Sequence, residues 1–275
     1  MSKQAKVTAI LVAVGIVAAL WLVSCIPETT PSKSLMPPEK HILIATWNLR
    51  GYPEKPQDSQ EWFSKKLKEV SPDIICVQEI ADQDKVNKFV ANEGYPFFAF
   101  VDSSDGQDNA IFCVNSVEME DVPDPNGFQH PAQAAYVSRG GFDAVIVTIH
   151  LSWTNVEMRE KEKSLLRNIV LEMLKIDPDV IIMGDFNTEG KDINALAQSI
   201  GMIVMVPSGQ DGVGTTHAGH RYDHILISPD LANEEAVDCH IITFTGDDLE
   251  IAKRVSDHLP VVAVFRTDLQ FKDRQ

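Results

Sequence analysis

Polar side chains that can bind a cation or move a proton follow several apolar runs of this sequence. Glu79 comes just after the run Ile74–Val77, and Asp185 just after Val180–Met183. Strand ends are where α/β enzymes gather their functional groups, although a single such residue is more often a cap or a turn residue. Five such positions in one chain indicate a common site. They are Asn48, Glu79, His150, Asp185 with Asn187, and Asp257 with His258.

These residue types suit the hydrolysis of a phosphate ester. Such a reaction needs a nucleophilic water, a cation on the phosphoryl oxygens and help for the leaving oxygen. Glu79 offers a hard carboxylate oxygen, the type of ligand that Mg²⁺ prefers. His258 is a candidate general base or phosphate-stabilising imidazole, and Asp223 is its candidate orienting carboxylate. A carboxylate partner fixes the tautomer of a histidine and raises its pKa.

Six short motifs resemble, in residues and in order, the signature set of the endonuclease/exonuclease/phosphatase superfamily. This superfamily includes deoxyribonuclease I, exonuclease III-type repair enzymes, bacterial sphingomyelinases and inositol-polyphosphate 5-phosphatases. Each motif alone is weak, whereas the ordered set, which extends from residue 41 to about 266, is specific. The motifs are Thr46-Trp47-Asn48, Val77-Gln78-Glu79, Ile149-His150-Leu151, Gly184-Asp185-Phe186-Asn187, Tyr222-Asp223-His224-Ile225 and Ser256-Asp257-His258.

The resemblance implies a role for each of these polar residues. Glu79 is expected to be the main ligand of a Mg²⁺ ion, with Asn48 and Asp257 nearby; Mn²⁺ and Ca²⁺ are the alternative ions. Asp185 is expected to orient the attacking water, and Asn187 to hold a phosphate oxygen. Without the neighbouring motifs, an Asx turn that closes the strand would explain the last two residues equally well.

His150 favours the deoxyribonuclease I and sphingomyelinase branches over the repair exonucleases, which do not usually keep a histidine there. In those branches it is a second catalytic histidine that stabilises the transition-state phosphate or protonates the leaving oxygen. Its carboxylate partner is not identifiable here, and Asp102 and Asp105 are candidates by position only. Many relatives carry an arginine before a proline upstream of this strand, where this sequence has His130-Pro131.

The pattern around these residues alternates strands with helices, which predicts a layered α/β domain. The resemblance adds the arrangement: a four-layer sandwich with two central, mostly antiparallel sheets packed face to face and helices outside. The predicted strands are His41–Asn48, Ile74–Glu79, Phe97–Val101, Ala110–Val114, Ala144–His150, Val180–Asp185, Tyr222–Ser228, His240–Thr245 and Pro260–Phe265. The predicted helices are Ser59–Val70, Asp82–Ala91, Val156–Lys175 and Asp192–Ile200. No break in composition divides residues 41–270, which are predicted to be one domain.

The N-terminal residues have the pattern of a targeting segment. Lys3 and Lys6 precede an apolar run, and Leu22-Val23-Ser24-Cys25 resembles a bacterial lipobox. In lipoproteins of that kind the cysteine becomes the new N-terminus and carries acyl chains, which anchor the protein instead of spanning a membrane. Residues 1–24 are therefore predicted to be a signal peptide, Cys25 the lipid attachment site and 25–40 a proline-rich tether. The alternatives are an uncleaved signal-anchor helix and plain secretion.

The formal net charge of −16 constrains the partners of the chain. An acidic protein repels nucleic acid at long range, which argues against tight non-specific binding to duplexes. A divalent metal and a few local cations can nevertheless serve a small site in such a protein. Cys76, Cys113 and Cys239 cannot all pair with one another, and no spacing suggests a zinc site. The first two lie in apolar runs and are predicted to be buried thiols.

The leading hypothesis is a metal-dependent phosphodiesterase, a nuclease of the deoxyribonuclease I kind whose substrate is nucleic acid. The lipid would hold it on the periplasmic or cell-surface side of a membrane. The alternative enzymes are a phospholipid or sphingomyelin phosphodiesterase and a phosphomonoesterase. A non-catalytic binding module on the same fold is disfavoured because ligand, water-orienting and base residues are all present. The substrate, the number of metals and the oligomeric state stay open.

Overall fold

The computed structural model describes residues 40–52, 55–102 and 106–269. The predicted signal peptide, the predicted lipid site Cys25 and the tether up to residue 39 lie outside these residues. Within the described ranges, no helix has both the length and the apolar character that are needed to cross a membrane. The predicted domain boundaries stay a prediction.

The described chain alternates strands and helices, as the sequence predicts. The strands are β1 His41–Tyr52, β2 Ile74–Ile80, β3 Phe97–Phe100, β4 Asp108–Cys113, β5 Glu118–Asp121, β6 Gln133–Arg139, β7 Phe142–His150, β8 Val180–Asp185, β9 Ile203–Val204, β10 Asp223–Ile227, β11 Ala236–Ile241 and β12 Val261–Arg266. The helices are α1 Gln57–Val70, α2 Gln83–Glu93, α3 Val156–Met173, α4 Lys191–Ile200, α5 Pro229–Glu234 and α6 Gly246–Val255.

The strands form two six-stranded sheets with the orders β11-β12-β1-β2-β4-β3 and β5-β6-β7-β8-β10-β9. In the first sheet only β1 and β2 are parallel neighbours, and in the second only β7 and β8. The remaining neighbours are antiparallel. Parallel neighbours end at the same edge of a sheet. Each sheet therefore has two central strands whose carboxyl ends lie side by side.

The two sheets pack face to face and helices cover their outer faces, which confirms the four-layer sandwich. One apolar cluster lies between the sheets and includes Ile44, Cys76, Ile146 and Met183. A second cluster joins the outer face of the second sheet to α3 and α4, and a third joins the first sheet to α1, α2 and α6. Both faces of the central strands are thus buried, which explains why they appear in the sequence as continuous apolar runs.

Some elements differ from the sequence expectation. The strand predicted at His240–Thr245 is wrong in position, since β11 ends at Ile241 and α6 begins at Gly246. The sequence did not predict α6, because only Ala252 and Val255 of this helix are buried and its apolar stripe is narrow. The strand β6 was also missed, because glutamine and two alanines give it a low β-propensity. It nevertheless pairs with β7 along its whole length.

Candidate active site

Three of the predicted site residues, His150, Asp185 and Asp223, lie at one edge of the second sheet, on its face toward the first sheet. Every second residue of a strand has its side chain on the same face, so the side chain of His150 lies on the same face of the sheet as that of Ile146. By the same rule, the side chain of Asp185 lies on the same face as that of Met183. The register places His150 opposite Asp185, and Asp185 opposite Asp223. Three functional side chains are therefore adjacent across β7, β8 and β10.

Asp185 is the central carboxylate of the site. Its Oδ2 lies 3.7 Å from Nε2 of His150 and 3.5 Å from Nε2 of His258. The same oxygen accepts a hydrogen bond of 3.3 Å from Nδ2 of Asn48. Asp185 is only 2 % exposed. Two imidazoles and one amide from both sheets thus converge on a single buried oxygen.

His258 and Asp223 form the carboxylate–imidazole pair that the sequence predicts. Nδ1 of His258 lies 2.8 Å from Oδ2 of Asp223, and both side chains are buried. Burial opposes the charged imidazole, but the charge and hydrogen bond of Asp223, with a further contribution from Asp185, outweigh it. They raise the pKa of His258 to about 10. This shift favours the protonated imidazolium, which can donate a hydrogen bond to an anion, while burial raises the pKa of its partner Asp223.

Backbone and hydroxyl contacts hold this pair in place. Oγ of Ser256 donates to the carbonyl of Asn48 at 2.6 Å and accepts the backbone N–H of His258 at 3.0 Å. Nε1 of Trp47 donates to the carbonyl of His258 at 3.0 Å. On the other side, Oγ1 of the buried Thr215 accepts the backbone N–H of Asp223 at 3.0 Å. The strand β1 and the loop around residue 215 therefore fix His258 and Asp223 relative to each other.

The turn after β8 orients Asp185 and Asn187. The backbone N–H of Asn187 donates to Oδ1 of Asp185 at 2.9 Å, and Nδ2 of Asn187 donates to the carbonyl of Leu151 at 2.8 Å. Asn187 has a φ of 46°, which asparagine tolerates better than most residues. Gly184 has a φ of 135°, and a Cβ built there would lie 2.0 Å from the carbonyl oxygen of Ile149. Only glycine fits at position 184, because the neighbouring strand β7 leaves no room for a side chain there.

Glu79, Asn48 and Asp257 lie near two cationic side chains. Oε1 of Glu79 accepts a hydrogen bond of 3.0 Å from Nδ2 of Asn48. Arg50 has its Nη1 3.6 Å from Oδ2 of Asp257, and its carbonyl accepts a hydrogen bond of 2.7 Å from Nζ of Lys55. Burial and then Arg50 lower the pKa of Lys55, whereas Asp257 and Glu79 act in the opposite direction. The two carboxylates and two cations therefore lie within electrostatic reach of one another.

The two carboxylates fit a hydrated divalent cation. Glu79 is half-buried, and the side chain of Asp257 is 55 % exposed. Each carboxylate offers oxygen ligands of the kind that Mg²⁺ takes, and Mg²⁺ keeps several of its waters. Asn48 directs Nδ2 toward Glu79, and its Oδ1 accepts the backbone N–H of Arg50 at 3.0 Å. A metal bond from Asn48 would therefore use an oxygen that already accepts a hydrogen bond.

A second group of side chains also has the spacing of a metal site. Among the described residues, one group of at least three histidine, cysteine or acidic side chains has its ligand atoms within 4.8 Å of one another. It consists of Asp185, Asp223 and His258. The hydrogen bond between Asp223 and His258 already uses an atom of each residue. Oxygen-only coordination by Glu79 and Asp257 is the better match to Mg²⁺.

The environment of His150 was not predicted from the sequence. The ring of His130 stacks on it with a centroid distance of 4.7 Å and an interplanar angle of 20°. Both histidines are buried, and Nδ1 of His150 has no hydrogen-bond partner among the described residues. Asp102 is exposed, and Asp105 lies outside the described residues, so neither is assigned as its partner. The sequence signal for this neighbour was His130-Pro131, which stands where many relatives have arginine and proline.

A buried polar layer beneath the site was also missed. Nε2 of Gln78 donates to Oγ1 of Thr46 at 3.1 Å within the first sheet and to Oγ1 of Thr148 at 2.9 Å in the second. All three side chains are fully buried. The signal was a glutamine and two threonines on the core side of apolar strands, two residues or fewer from a predicted site residue.

The profile of the Endonuclease/Exonuclease/phosphatase family matches residues 45–258. The chain belongs to this family. Its members are usually phosphoester hydrolases, and they generally use divalent metals. A comparison with curated protein sequences found no significant match.

Several solved structures share the fold of this chain. The complex of D. rerio TDP2 with a single-strand DNA product superposes with a TM-score of 0.64 at 18% identity, covering 82% of this chain and 98% of that one. The human nocturnin catalytic domain with bound sulfate gives 0.59 at 17% identity, covering 82% and 94%. A family protein from Bacteroides thetaiotaomicron gives 0.59 at 15% identity, covering 83% and 98%. At these identities the likeness establishes the fold alone.

Proposed function

We propose that this protein is a divalent-metal-dependent phosphodiesterase, a nuclease of the deoxyribonuclease I type. The observation that carries the proposal is the position of Asp185, whose Oδ2 lies within 3.7 Å of two imidazole nitrogens. One of these imidazoles is held by the buried carboxylate of Asp223. An acceptor for a water proton and two donors for phosphoryl oxygens are thereby brought to one point.

The residues take separate parts in the proposed reaction. Asp185 orients the attacking water and accepts its proton. His258, as an imidazolium, donates a hydrogen bond to a non-bridging phosphoryl oxygen and stabilises the charge that develops there. His150 stabilises the same phosphoryl group from the other sheet or protonates the leaving oxygen, and Asn187 holds a phosphate oxygen.

A divalent cation of the Mg²⁺ kind would be held by Glu79 and Asp257, with Asn48 beside them. When bound, it neutralises charge on the phosphoryl oxygens. Asn48 contributes through its Nδ2, which contacts Glu79 at 3.0 Å and Asp185 at 3.3 Å. It thus fixes the carboxylate of Glu79, which would hold the cation, relative to the carboxylate of Asp185, which orients the water.

Nucleic acid is the proposed substrate class. D. rerio TDP2, which has the same fold, has been crystallised with a single-strand DNA product. The net charge of −16 opposes tight binding along a duplex, so we propose short or single-stranded substrates that engage mainly the site itself.

Hydrolysis of bis-p-nitrophenyl phosphate tests the enzymatic proposal. We expect activity in Mg²⁺ or Mn²⁺ that EDTA abolishes, because EDTA removes the divalent cation that Glu79 and Asp257 would hold. Asp185→Asn and His258→Gln should each lower kcat by at least about 100-fold, since each removes a group that acts on the reacting atoms. A matched control is His240→Gln, because His240 is also paired with an aspartate but lies on the edge strand β11. Absence of activity with every divalent metal would contradict the proposal.

Parallel assays with single-stranded DNA, plasmid DNA and sphingomyelin vesicles identify the substrate class. The nuclease proposal predicts turnover of DNA and none of the lipid. Lipid turnover without DNA turnover would establish the alternative phospholipid phosphodiesterase, and release of phosphate from monoesters alone would establish a phosphatase.

We further propose that the protein is exported and anchored by a lipid on Cys25. The support is the apolar run that ends at Leu22-Val23-Ser24-Cys25 and the proline-rich segment that follows it. Intact-mass analysis of the membrane fraction should show a chain that begins at Cys25 and carries diacylglycerol. The variant Cys25→Ala should lose this mass and leave the membrane fraction. A chain that still begins at Met1 would exclude the lipoprotein assignment.

A further inference from the structure

Trp153 differs from the other tryptophans of the described chain. Trp47 and Trp62 are buried, and their indole nitrogens donate hydrogen bonds of 3.0 Å to the carbonyl of His258 and 2.7 Å to Oδ1 of Asp248. Trp153 is 63 % exposed. It is the most exposed large apolar side chain among the described residues. An aromatic ring of this size that stays in water does not contribute the large favourable free energy that burial of its apolar surface would provide.

The position of Trp153 in the chain places it beside the proposed catalytic residues. Leu151 directly follows His150, its backbone N–H donates to the carbonyl of Asp185 at 2.9 Å, and its carbonyl accepts a hydrogen bond from Asn187 at 2.8 Å. Two residues of chain span at most about 7 Å, so the backbone of Trp153 lies no farther than that from Leu151.

The segment that carries Trp153 is held from both sides. The backbone N–H of Ser152 donates to Oε2 of Glu162 at 2.8 Å, and Glu162 is fully buried. Nη1 of Arg159 donates to the carbonyls of Ser152 and Trp153 at 3.0 and 3.2 Å. Asn155 then caps α3 by accepting the backbone N–H of Met158. The exposed ring is therefore attached to a fixed backbone.

We infer that Trp153 is a stacking platform for the nucleobase next to the scissile phosphate of a single-stranded nucleic acid. This inference rests on the proposed function. Stacking needs a base that is not already stacked in a duplex, and it does not depend on attraction between charges. It thus supplies contact to a polyanion that the net charge of −16 repels.

The surroundings of Trp153 favour a single planar ring over a lipid surface. Thr154 and Asn155 follow Trp153, and Glu157 is the second residue of α3; these three polar side chains are exposed. Val156 is the one apolar side chain of this stretch and is 59 % exposed. Insertion of the ring into the hydrocarbon of a bilayer would draw the polar neighbours and an acidic residue toward an apolar environment, where unpaired polar groups are costly. A stacked base contacts the ring and leaves them in water.

Steady-state kinetics with two matched substrates test the inference. One substrate is oligothymidylate, and the other is a strand of equal length in which tetrahydrofuran residues replace the nucleosides. Trp153→Ser should lower kcat/KM on oligothymidylate by roughly 5- to 100-fold, the range typical of losing one stacked base. It should leave the abasic strand almost unchanged, and Trp153→Phe should restore most of the loss. Phe97→Ser is the control, because Phe97 is a 46 % exposed aromatic side chain remote from the site.

The register shows how far this control lies from the site. Phe97 pairs with Cys113, which pairs with Ile74 at the start of β2, whereas Glu79 lies near the end of that strand. Five residues of strand separate Ile74 from Glu79 by roughly 17 Å. A loss of DNA hydrolysis in Phe97→Ser would therefore point to general destabilisation.

The outcomes separate this inference from the proposed function. If wild-type protein cleaves neither strand, the function fails, and binding is then read from quenching of tryptophan emission by phosphorothioate oligothymidylate in EDTA. Quenching that persists in Trp153→Phe overturns the inference. If wild-type protein cleaves DNA, equal losses on both strands in Trp153→Ser, or no loss on either, also overturn it. So does a defect confined to phospholipid vesicles, which would assign the ring to a lipid surface.

Discussion

At the residue scale, the neighbours of Asp185 hold its side chain in one orientation. Its Oδ1 accepts the backbone N–H of Asn187, whereas its Oδ2 is the oxygen near both imidazoles. One oxygen thus holds the side chain in place and the other remains available for chemistry. The residue before it must be glycine, because the backbone of β7 passes too close for any side chain.

We predict that Gly184→Ala destabilises the protein by at least about 3 kcal/mol, a large loss for one methyl group. The new Cβ would lie 2.0 Å from the carbonyl oxygen of Ile149, so one of the two central strands must shift. Urea unfolding measures the effect. Gly201→Ala is the matched control, since Gly201 also has a positive φ but has open space at the Cβ position. It should lose only about 1–2 kcal/mol, the cost of placing an L residue in the left-handed region. Equal losses would show that backbone strain dominates at both sites.

At the element scale, the parallel pair in each sheet determines where the site forms. The regular pairing of β1 with β2 ends at Asn48 and Gln78, directly before Glu79, and β7 and β8 end at His150 and Asp185. The antiparallel strand β10 begins at this edge and so contributes its first residue, Asp223. Gln78 connects the two halves through Thr46 in one sheet and Thr148 in the other.

We predict that Thr148→Val costs about 1–3 kcal/mol of unfolding free energy, because Gln78 then keeps a buried N–H without an acceptor. Thr148→Ser keeps the hydroxyl and should cost less. In a double-mutant cycle with Gln78→Met, the two changes should couple by about 0.5–3 kcal/mol. Additive changes in chemical denaturation would mean that the hydrogen bond across the sheets contributes nothing to stability.

At the scale of the whole molecule, the charge of −16 opposes the approach of a polyanion. The cations described near the site, Arg50 and Lys55, each lie close to an acidic residue or a backbone carbonyl. Recognition of the proposed nucleic-acid substrate would therefore rely on short-range contacts at the site. The acidic net charge also distinguishes this chain from proteins that track along duplexes through rows of basic side chains.

We predict that added salt lowers KM for the hydrolysis of a 20-nucleotide single strand. Between about 10 and 150 mM NaCl the screening length falls from about 30 to 8 Å, which weakens the repulsion between protein and substrate. KM for the strand should fall over this range, whereas KM for bis-p-nitrophenyl phosphate should change little. A KM that rises with salt would reveal a basic binding surface that dominates the overall charge.

The order and identity of the polar residues at strand ends carried the resemblance, and the resemblance implied the family and the four-layer fold. The apolar runs by themselves predicted most of the buried strands, because such a pattern is local and the residue after the run lies at the sheet edge. Only the tertiary structure decided which groups touch. The stack of His130 on His150, the Thr215 hydroxyl at Asp223 and the Gln78 bridge join residues from separate elements. These contacts depend on how two sheets and a loop pack together, and no spacing within one strand encodes that packing.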